Sequence, residues 1–300
     1  MDIKKMIKDV AKAHGMDMCG FAGLEHFDES PPGRHPSETL PGCKSVVVIG
    51  TRLIDGVVQT NFRQYENGRH DLKGVYGTYG YATLPNFALT YACYAIAQAI
   101  ERDTGATATP LSTGPLMNGT QISIRHSAVA AGLGEFGWMS IVLTPQFGPR
   151  NRFGVILTTA ELEPDPLYSG PKLCDPTVCR ICTDVCPTKA IGEYGSENIR
   201  SCKLGTYGKV SFPRCQVPTQ ALRREFGGDA DWITTDDPTD ADIADANARM
   251  PISEKGLQHH ETWHCGLCLS YCPVGKWKEK FLDKALTGGA SAVSLPKFDD

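Results

Sequence analysis

Nine of the twelve cysteines lie beyond Glu163-Pro164, as two short runs and two single residues. The first run reads Cys174-x4-Cys179-x2-Cys182-x3-Cys186-Pro187 and the second Cys265-x2-Cys268-x3-Cys272-Pro273, so the core Cys-x2-Cys-x3-Cys-Pro occurs twice. Short spacings let neighbouring thiolates wrap three irons of one cubane, while the cysteine before proline is carried off to another cluster. Proline suits that exit because it fixes φ and keeps the turn from running on as helix. A zinc site takes four nitrogen or sulfur ligands, commonly in two pairs, and a duplicated core with seven thiolates fits that poorly. Two 4Fe–4S clusters need eight thiolates, so one ligand must come from outside the runs. On the ferredoxin pattern Cys174, Cys179 and Cys182 take one cluster together with Cys272. Cys265 and Cys268 take the other with Cys186 and a remote cysteine, for which Cys202 stands ahead of Cys215. Cys19, Cys43 and Cys93 are isolated and read as small buried hydrophobes. His259, His260 and His264 precede the second run, and His264 reads as packing beside it.

Elements must position these residues. Ile3, Met6, Ile7 and Val10 fall at helical spacing, with Gly15 as a stop. Ser45 to Gly50 is β-branched and short, a buried strand, and Phe153 to Thr159 is another. A helix is expected from Asn86 to about Asp103 and a further one from Ile122 to Leu133, closed by Gly132 and Gly134. Strands alternate with helices, which predicts an α/β (α+β) domain over residues 1–164. From residue 165 to 300 the chain is rich in Pro, Gly and Cys, the expected ferredoxin-like domain. It carries an Asp-rich insertion at about 216–258, with seven Asp between Gly227 and Met250, read as a solvated segment whose end is a short helix. With 41% hydrophobic and 21% charged residues the chain is of globular type. A net charge of −4 gives no global reason to expect nucleic-acid binding. No apolar run reaches the ~20 residues that span a bilayer, and no export signal is visible. The expectation is a cytoplasmic protein with no membrane partner, since free thiols at such density belong in a reducing compartment.

With these residues in view, the chain resembles the superfamily of epoxyqueuosine reductases and reductive dehalogenases. The likeness is carried by Phe21-Ala22-Gly23, Leu40-Pro41-Gly42-Cys43-Lys44-Ser45, Ser112-Thr113-Gly114-Pro115, Ala131 to Gly137, and the cysteine order, with a lone cysteine in the place of Cys202. The resemblance implies a nitroreductase-like, corrinoid-binding domain followed by a bacterial-ferredoxin-like domain with two clusters. It implies cobalamin as a second cofactor. Gly132, Gly134, Gly137, Trp138, Met139 and Ser140 are then the candidate corrin contacts, since bare glycine backbone can approach a flat cofactor closely. On residues alone the same stretch reads as a helix C-cap followed by a turn.

The departures narrow the match, and this chain is not close to a true epoxyqueuosine reductase. Ser112 stands where those enzymes resemble Asp-Thr-Gly-Pro, and a hydroxyl is a poor acid at neutral pH. Gly137-Trp138-Met139 replaces the usual Gly-Lys-Asn, and the first cysteine gap is four residues where two is usual. These changes make tRNA an unexpected partner. Dehalogenases resemble a site with a tyrosine donor near the corrin, which brings Tyr76, Tyr79 and Tyr81 forward, although ordinary packing is the plainer reading. Arg125 and His126 precede the glycine loop, where they would raise local positive potential. The resulting expectation is a corrinoid and iron–sulfur reductase that draws electrons from a low-potential ferredoxin- or flavodoxin-type donor. It would reduce a small organic substrate by dehalogenation or epoxide-type reduction. The alternatives are a non-catalytic electron carrier serving a corrinoid or partner protein, and a ferredoxin domain fused to a flavin-binding or empty α/β domain.

Overall fold

The computed structural model of the chain describes residues 2–66, 73–81, 83–111, 122–228, 230–250 and 265–275. The first region is built on a four-stranded sheet: β1 (Met18–Ala22), β2 (Ser45–Arg52), β3 (Ala108–Pro110) and β6 (Asn151–Thr158), in the order β1-β2-β6-β3. Every neighbouring pair is antiparallel, with Cys19 opposite Ile49 and Val48 opposite Val155. The alternation of strands with helices suggested α/β; the antiparallel sheet makes the region α+β. The unbroken run Val46-Val47-Val48-Ile49 is the pattern of a strand covered on both faces. Here helices supply both covers. Val47, Ile49 and Ile156 point into a core with Ile7 and Ala11 of α1 (Ile3–Ala13). The long helix α5 (Thr83–Thr104) adds Leu89, Cys93, Ile96 and Ile100 to that core. Val46, Val48, Val155 and Leu157 point the other way, against Ala128 to Ala131 at α6 (Ile124–Ala130).

Short pieces join these layers: α2 (Pro36–Thr39), α3 (Asp55–Glu66), α4 (Lys73–Val75) and a π-helical turn at Tyr76–Tyr81. β4 (Glu135–Phe136) and β5 (Val142–Leu143) form a small hairpin after α6. The linker is tied down at Asp165, which takes Lys4 Nζ at 2.6 Å on one oxygen and the Phe21 N–H at 3.2 Å on the other.

Beyond residue 165 regular structure is sparse. It comprises α7 (Ile181–Asp184), the hairpin β7 (Ile199–Cys202) and β8 (Gly205–Gly208), α8 (Phe212–Thr219), α9 (Asp240–Arg249) and α10 (Leu267–Tyr271). The described part of the Asp-rich insertion packs around a small core of Val217, Leu222, Ile233, Ile243, Ala246 and Met250. Several of its acids have local tasks: Asp242 completes a capping box with Thr239, and Asp236, Asp237 and Asp245 pair with Arg223, Arg214 and Arg249. No helix among the described residues is long and apolar enough to cross a membrane.

Candidate functional site

The structure sorts the cysteines by position. All twelve are free thiols. Burial pushes the Cys182 thiol up to about 12, and its neighbours Cys272, Cys174 and Cys179 add to that. Cys272 is pushed up to about 12 by burial, with Cys174 and Cys179 contributing. These four sulfurs form one neighbourhood. Cys265 is raised to about 12 by burial, and Cys215 and Cys186 raise it further. Cys268 is raised well above its ordinary value by burial and by Cys265, Cys215, Cys182 and Cys186. Cys186, Cys215, Cys265 and Cys268 therefore form a second neighbourhood, joined to the first at Cys182. Cys202 is elsewhere. Its Sγ turns back to the Gly205 carbonyl at 3.7 Å within the β7–β8 hairpin, and it packs on the sheet core with Leu204 and Tyr207. The thiol found beside Cys186, Cys265 and Cys268 is that of Cys215, carried on α8.

Clustered buried thiols resist losing their protons because each negative sulfur would face low dielectric and its neighbours. A cationic group relieves both penalties, and thiolates bind metal by releasing protons. Sulfur-only donors in two groups of four fit two cubanes in number and type. Among the described residues no three His, Cys, Asp or Glu side chains are placed to hold a single metal ion.

Both runs are anchored from the first region. Glu135 Oε1 accepts the N–H groups of Leu173 and Cys174 at 2.6 and 3.1 Å, and the Trp138 N–H reaches Cys174 Sγ at 3.3 Å. Arg150 is 3% exposed, and its guanidinium donates to the carbonyls of Leu269 at 3.2 Å, Cys272 at 2.8 Å and Val274. Burial pulls Arg150 down to about 10, partly offset by Cys272 and Asp55, so it stays cationic near neutrality. From α3, Asn61 donates to the Cys265 carbonyl at 2.8 Å and to Ser270 Oγ at 3.0 Å. Phe62 meets the Tyr271 ring edge-on at 4.7 Å between centroids. Sequence reading missed Asn61, Glu135 and Arg150. The one available signal was an arginine beside a strand otherwise rich in apolar residues.

The three tyrosines part company. Tyr79 is 52% exposed. Tyr81 is half-buried under the Arg152 guanidinium, 4.8 Å from its ring centre. Tyr76 is 1% exposed, and its phenol is pushed well above the ordinary range by burial, with Tyr81, Cys268 and Cys265 adding to that. It faces the second cysteine run. Ser112, with the Thr113-Gly114-Pro115 motif, and His259, His260 and His264 lie outside the described residues. Arg125 donates to the Ser140 carbonyl and, at 2.5 Å, to Ser140 Oγ. His126 joins Phe136 and Tyr207 in a ring cluster and meets Ser123 Oγ at 2.7 Å. Burial and then Arg125 lower the His126 pKa, which favours neutral imidazole.

The glycine loop is closed by the chain itself. Gly132 sits at φ +72° just past α6, and a Cβ there would lie 2.2 Å from the Pro166 carbonyl oxygen. At Gly134 a Cβ would lie 1.9 Å from the Leu143 carbonyl oxygen, and at Gly137 it would press on the Leu143 side chain. Trp138 is buried and its Nε1–H donates to the Gly192 carbonyl at 2.8 Å. Met139 packs among Cys182, Cys186 and Cys272. Ser140 adopts φ +62° under Arg125. The bare faces of this loop thus meet backbone and side chains, in a C-cap and hairpin.

No protein-family model matches the chain. It is 43% identical over 79 residues to a tetrachloroethene reductive dehalogenase of Desulfitobacterium hafniense, a match taking in 26% of this chain and 14% of that protein. It is 28% identical over 220 residues to an epoxyqueuosine reductase of Gloeobacter violaceus, covering 72% of this chain and 60% of that one. The epoxyqueuosine reductase of Streptococcus thermophilus shares the fold over 91% of this chain and 66% of its own, with TM-score 0.55 and 19% identity. A catabolic reductive dehalogenase covers 71% of this chain and 28% of its own, with TM-score 0.51 and 18% identity. An epoxyqueuosine reductase bound to an epoxyqueuosine-modified tRNA-Tyr stem loop matches at TM-score 0.56, 18% identity and 91% of this chain. That neighbour leaves the expectation against tRNA without support. The chain is therefore similar, in its α+β fold and in part of its sequence, to the epoxyqueuosine reductases and reductive dehalogenases, and at these identities it is not a close match to an epoxyqueuosine reductase.

Proposed function

We propose that the chain is an iron–sulfur oxidoreductase with an α+β region at 1–164 and a two-cluster region at 165–300. Cys174, Cys179, Cys182 and Cys272 would hold one 4Fe–4S cluster, and Cys186, Cys215, Cys265 and Cys268 the other. The observation that carries the reading is the pairing of two interleaved groups of four buried or half-buried thiols, each drawing on both cysteine runs. Bound there, the clusters would supply one-electron storage and relay. The chain's own residues do the rest. Arg150, Asn61 and Glu135 fix the two runs. Trp138, Met139, Ile191 and Leu143 pack apolar surface around Cys182, Cys186 and Cys272.

Similarity to named reductases favours a low-potential reduction of a small organic substrate, fed by a ferredoxin- or flavodoxin-type donor. The corrinoid part of the reading rests on that similarity. At Gly132, Gly134 and Gly137 the side left bare by glycine meets Pro166 and Leu143, and no step is routed through cobalamin. Closure of this loop favours a second reading, an electron-transfer protein that passes charge to a partner.

Anaerobic reconstitution with iron and sulfide tests the centre. About eight iron atoms per chain are expected, the sum of two cubanes. Cys215→Ser should lose close to half of the iron and Cys202→Ser none; the opposite ranking would overturn the ligand set. Gel filtration with added cobalamin, followed by turnover of halogenated and epoxide substrates, separates the reductase from the carrier.

A further inference from the structure

Tyr76 has no role in the ligand set, and its placement is unusual. It is a tyrosine at 1% exposure whose hydroxyl finds no hydrogen-bond partner among the described residues. A buried donor left unpaired costs about 1–3 kcal/mol, so such a group asks for an acceptor. The hydroxyl abuts Gly266, between Cys265 and Cys268: a Cβ at Gly266 would lie 2.1 Å from Tyr76 Oη. Gly266 holds φ +58°, which opens the turn to the phenol. A second tyrosine lies near the same turn, for Tyr65 at the end of α3 packs in one cluster with Cys265. Tyr65, Tyr76 and Cys265 pack in one apolar cluster with Leu53, Val58 and Leu267. Among the described residues no tyrosine hydroxyl is recorded against the first group, where Cys174 Sγ takes the Trp138 backbone N–H.

We propose that Tyr65 and Tyr76 are positioning residues of the second cluster, donating hydrogen bonds to its sulfur and raising its reduction potential. The proposal rests on the cluster reading above. Reduction adds negative charge to the cluster, and donors aimed at sulfur stabilise the reduced form more than the oxidised one. Two phenols in a dry, apolar setting act with little competition from water. Tyr76 thereby has an electronic role at a cluster and not that of a proton donor to substrate.

The test is an EPR-monitored redox titration of the reconstituted protein against Tyr65→Phe, Tyr76→Phe and the double variant, with iron counted in each. The expected result is about eight iron atoms retained and one of two reduction steps moved to lower potential, the other unmoved. A tenfold change in that reduction equilibrium would be about 59 mV for one electron. Iron retained with both potentials unchanged would overturn the proposal and leave the cluster reading intact. Failure of the wild type to load iron would sink the cluster reading itself. Should the phenylalanine variants not load, 3-fluorotyrosine incorporation in the wild type decides. It strengthens the donors without removing them, so the same step should move to higher potential, and no movement would refute the role.

Discussion

Replacing Arg150 by Met should destabilise the protein by about 3 kcal/mol, in the range found when one partner of a buried charged contact is removed. The guanidinium lies almost wholly buried and serves three carbonyls, those of Leu269, Cys272 and Val274. Truncation would leave each without this donor, at about 1–3 kcal/mol apiece if nothing replaces it. Two terms reduce the sum. Water entering the space left by the fork would satisfy some of the carbonyls, and the cost of burying a cation disappears. Arg150→Lys should recover part of the loss, since one ammonium keeps the charge but cannot span three acceptors as a planar fork does. The measurement is the denaturant midpoint of the three proteins at equal slope, with iron content alongside. Net stability for a domain is only about 5–15 kcal/mol, so the shift should be plain. A change below about 0.5 kcal/mol, the usual size for a neutral surface substitution, would show that Arg150 does not anchor the second run.

Two further outcomes follow from particular contacts. Gly134→Ala drives a Cβ to 1.9 Å from the rigid Leu143 carbonyl oxygen, so a loss of about 2–3 kcal/mol is expected; a calorimetric Tm equal to the wild type's would contradict the close approach. Apoprotein should lose stability above pH 9. Cys182, Cys265 and Cys272 keep their protons to about 12 when folded, against an unfolded value near 9.0. Over that window the unfolded chain binds fewer protons, and each thiol contributes a fall of about 1.4 kcal/mol per pH unit. Iron-loaded protein has already released those protons, so equal alkaline slopes for the two forms would refute the assignment.

Local pattern made the scaffold readable. Helical spacing in Ile3 to Val10, the valine run at 46–48 and the short helix expected at the end of the Asp-rich segment each matched an element. Strand direction was not readable, because a run buried on both faces looks the same whether its neighbours are parallel or antiparallel. The cysteine runs were legible by spacing, but which lone cysteine stands beside them was not. Cys202 and Cys215 are equally isolated in sequence, and only the β7–β8 turn, which folds Cys202 back on itself, separates them. The glycine loop is ambiguous for a related reason. A glycine records that something comes close, and here the close partners are Pro166 and Leu143. Asn61 carried no signal, since its task lies roughly two hundred positions away in the chain.

That long reach explains why the α+β region accompanies the cysteines. A helix of four residues at α7 and one of five at α10 cannot build a core of their own, and short helices are marginal without tertiary packing. The second run is held instead by Asn61, Phe62 and Arg150, and the first by Glu135 and Trp138. Each group of four thiols draws on both runs, so the separation of the runs fixes the geometry of both groups at once. The sheet sets that separation. Strand β6 places Arg150 at its leading end, the β4–β5 hairpin places Glu135, and α3 places Asn61. The first region is thus a template for the two groups of thiols before it is a binding domain for anything else.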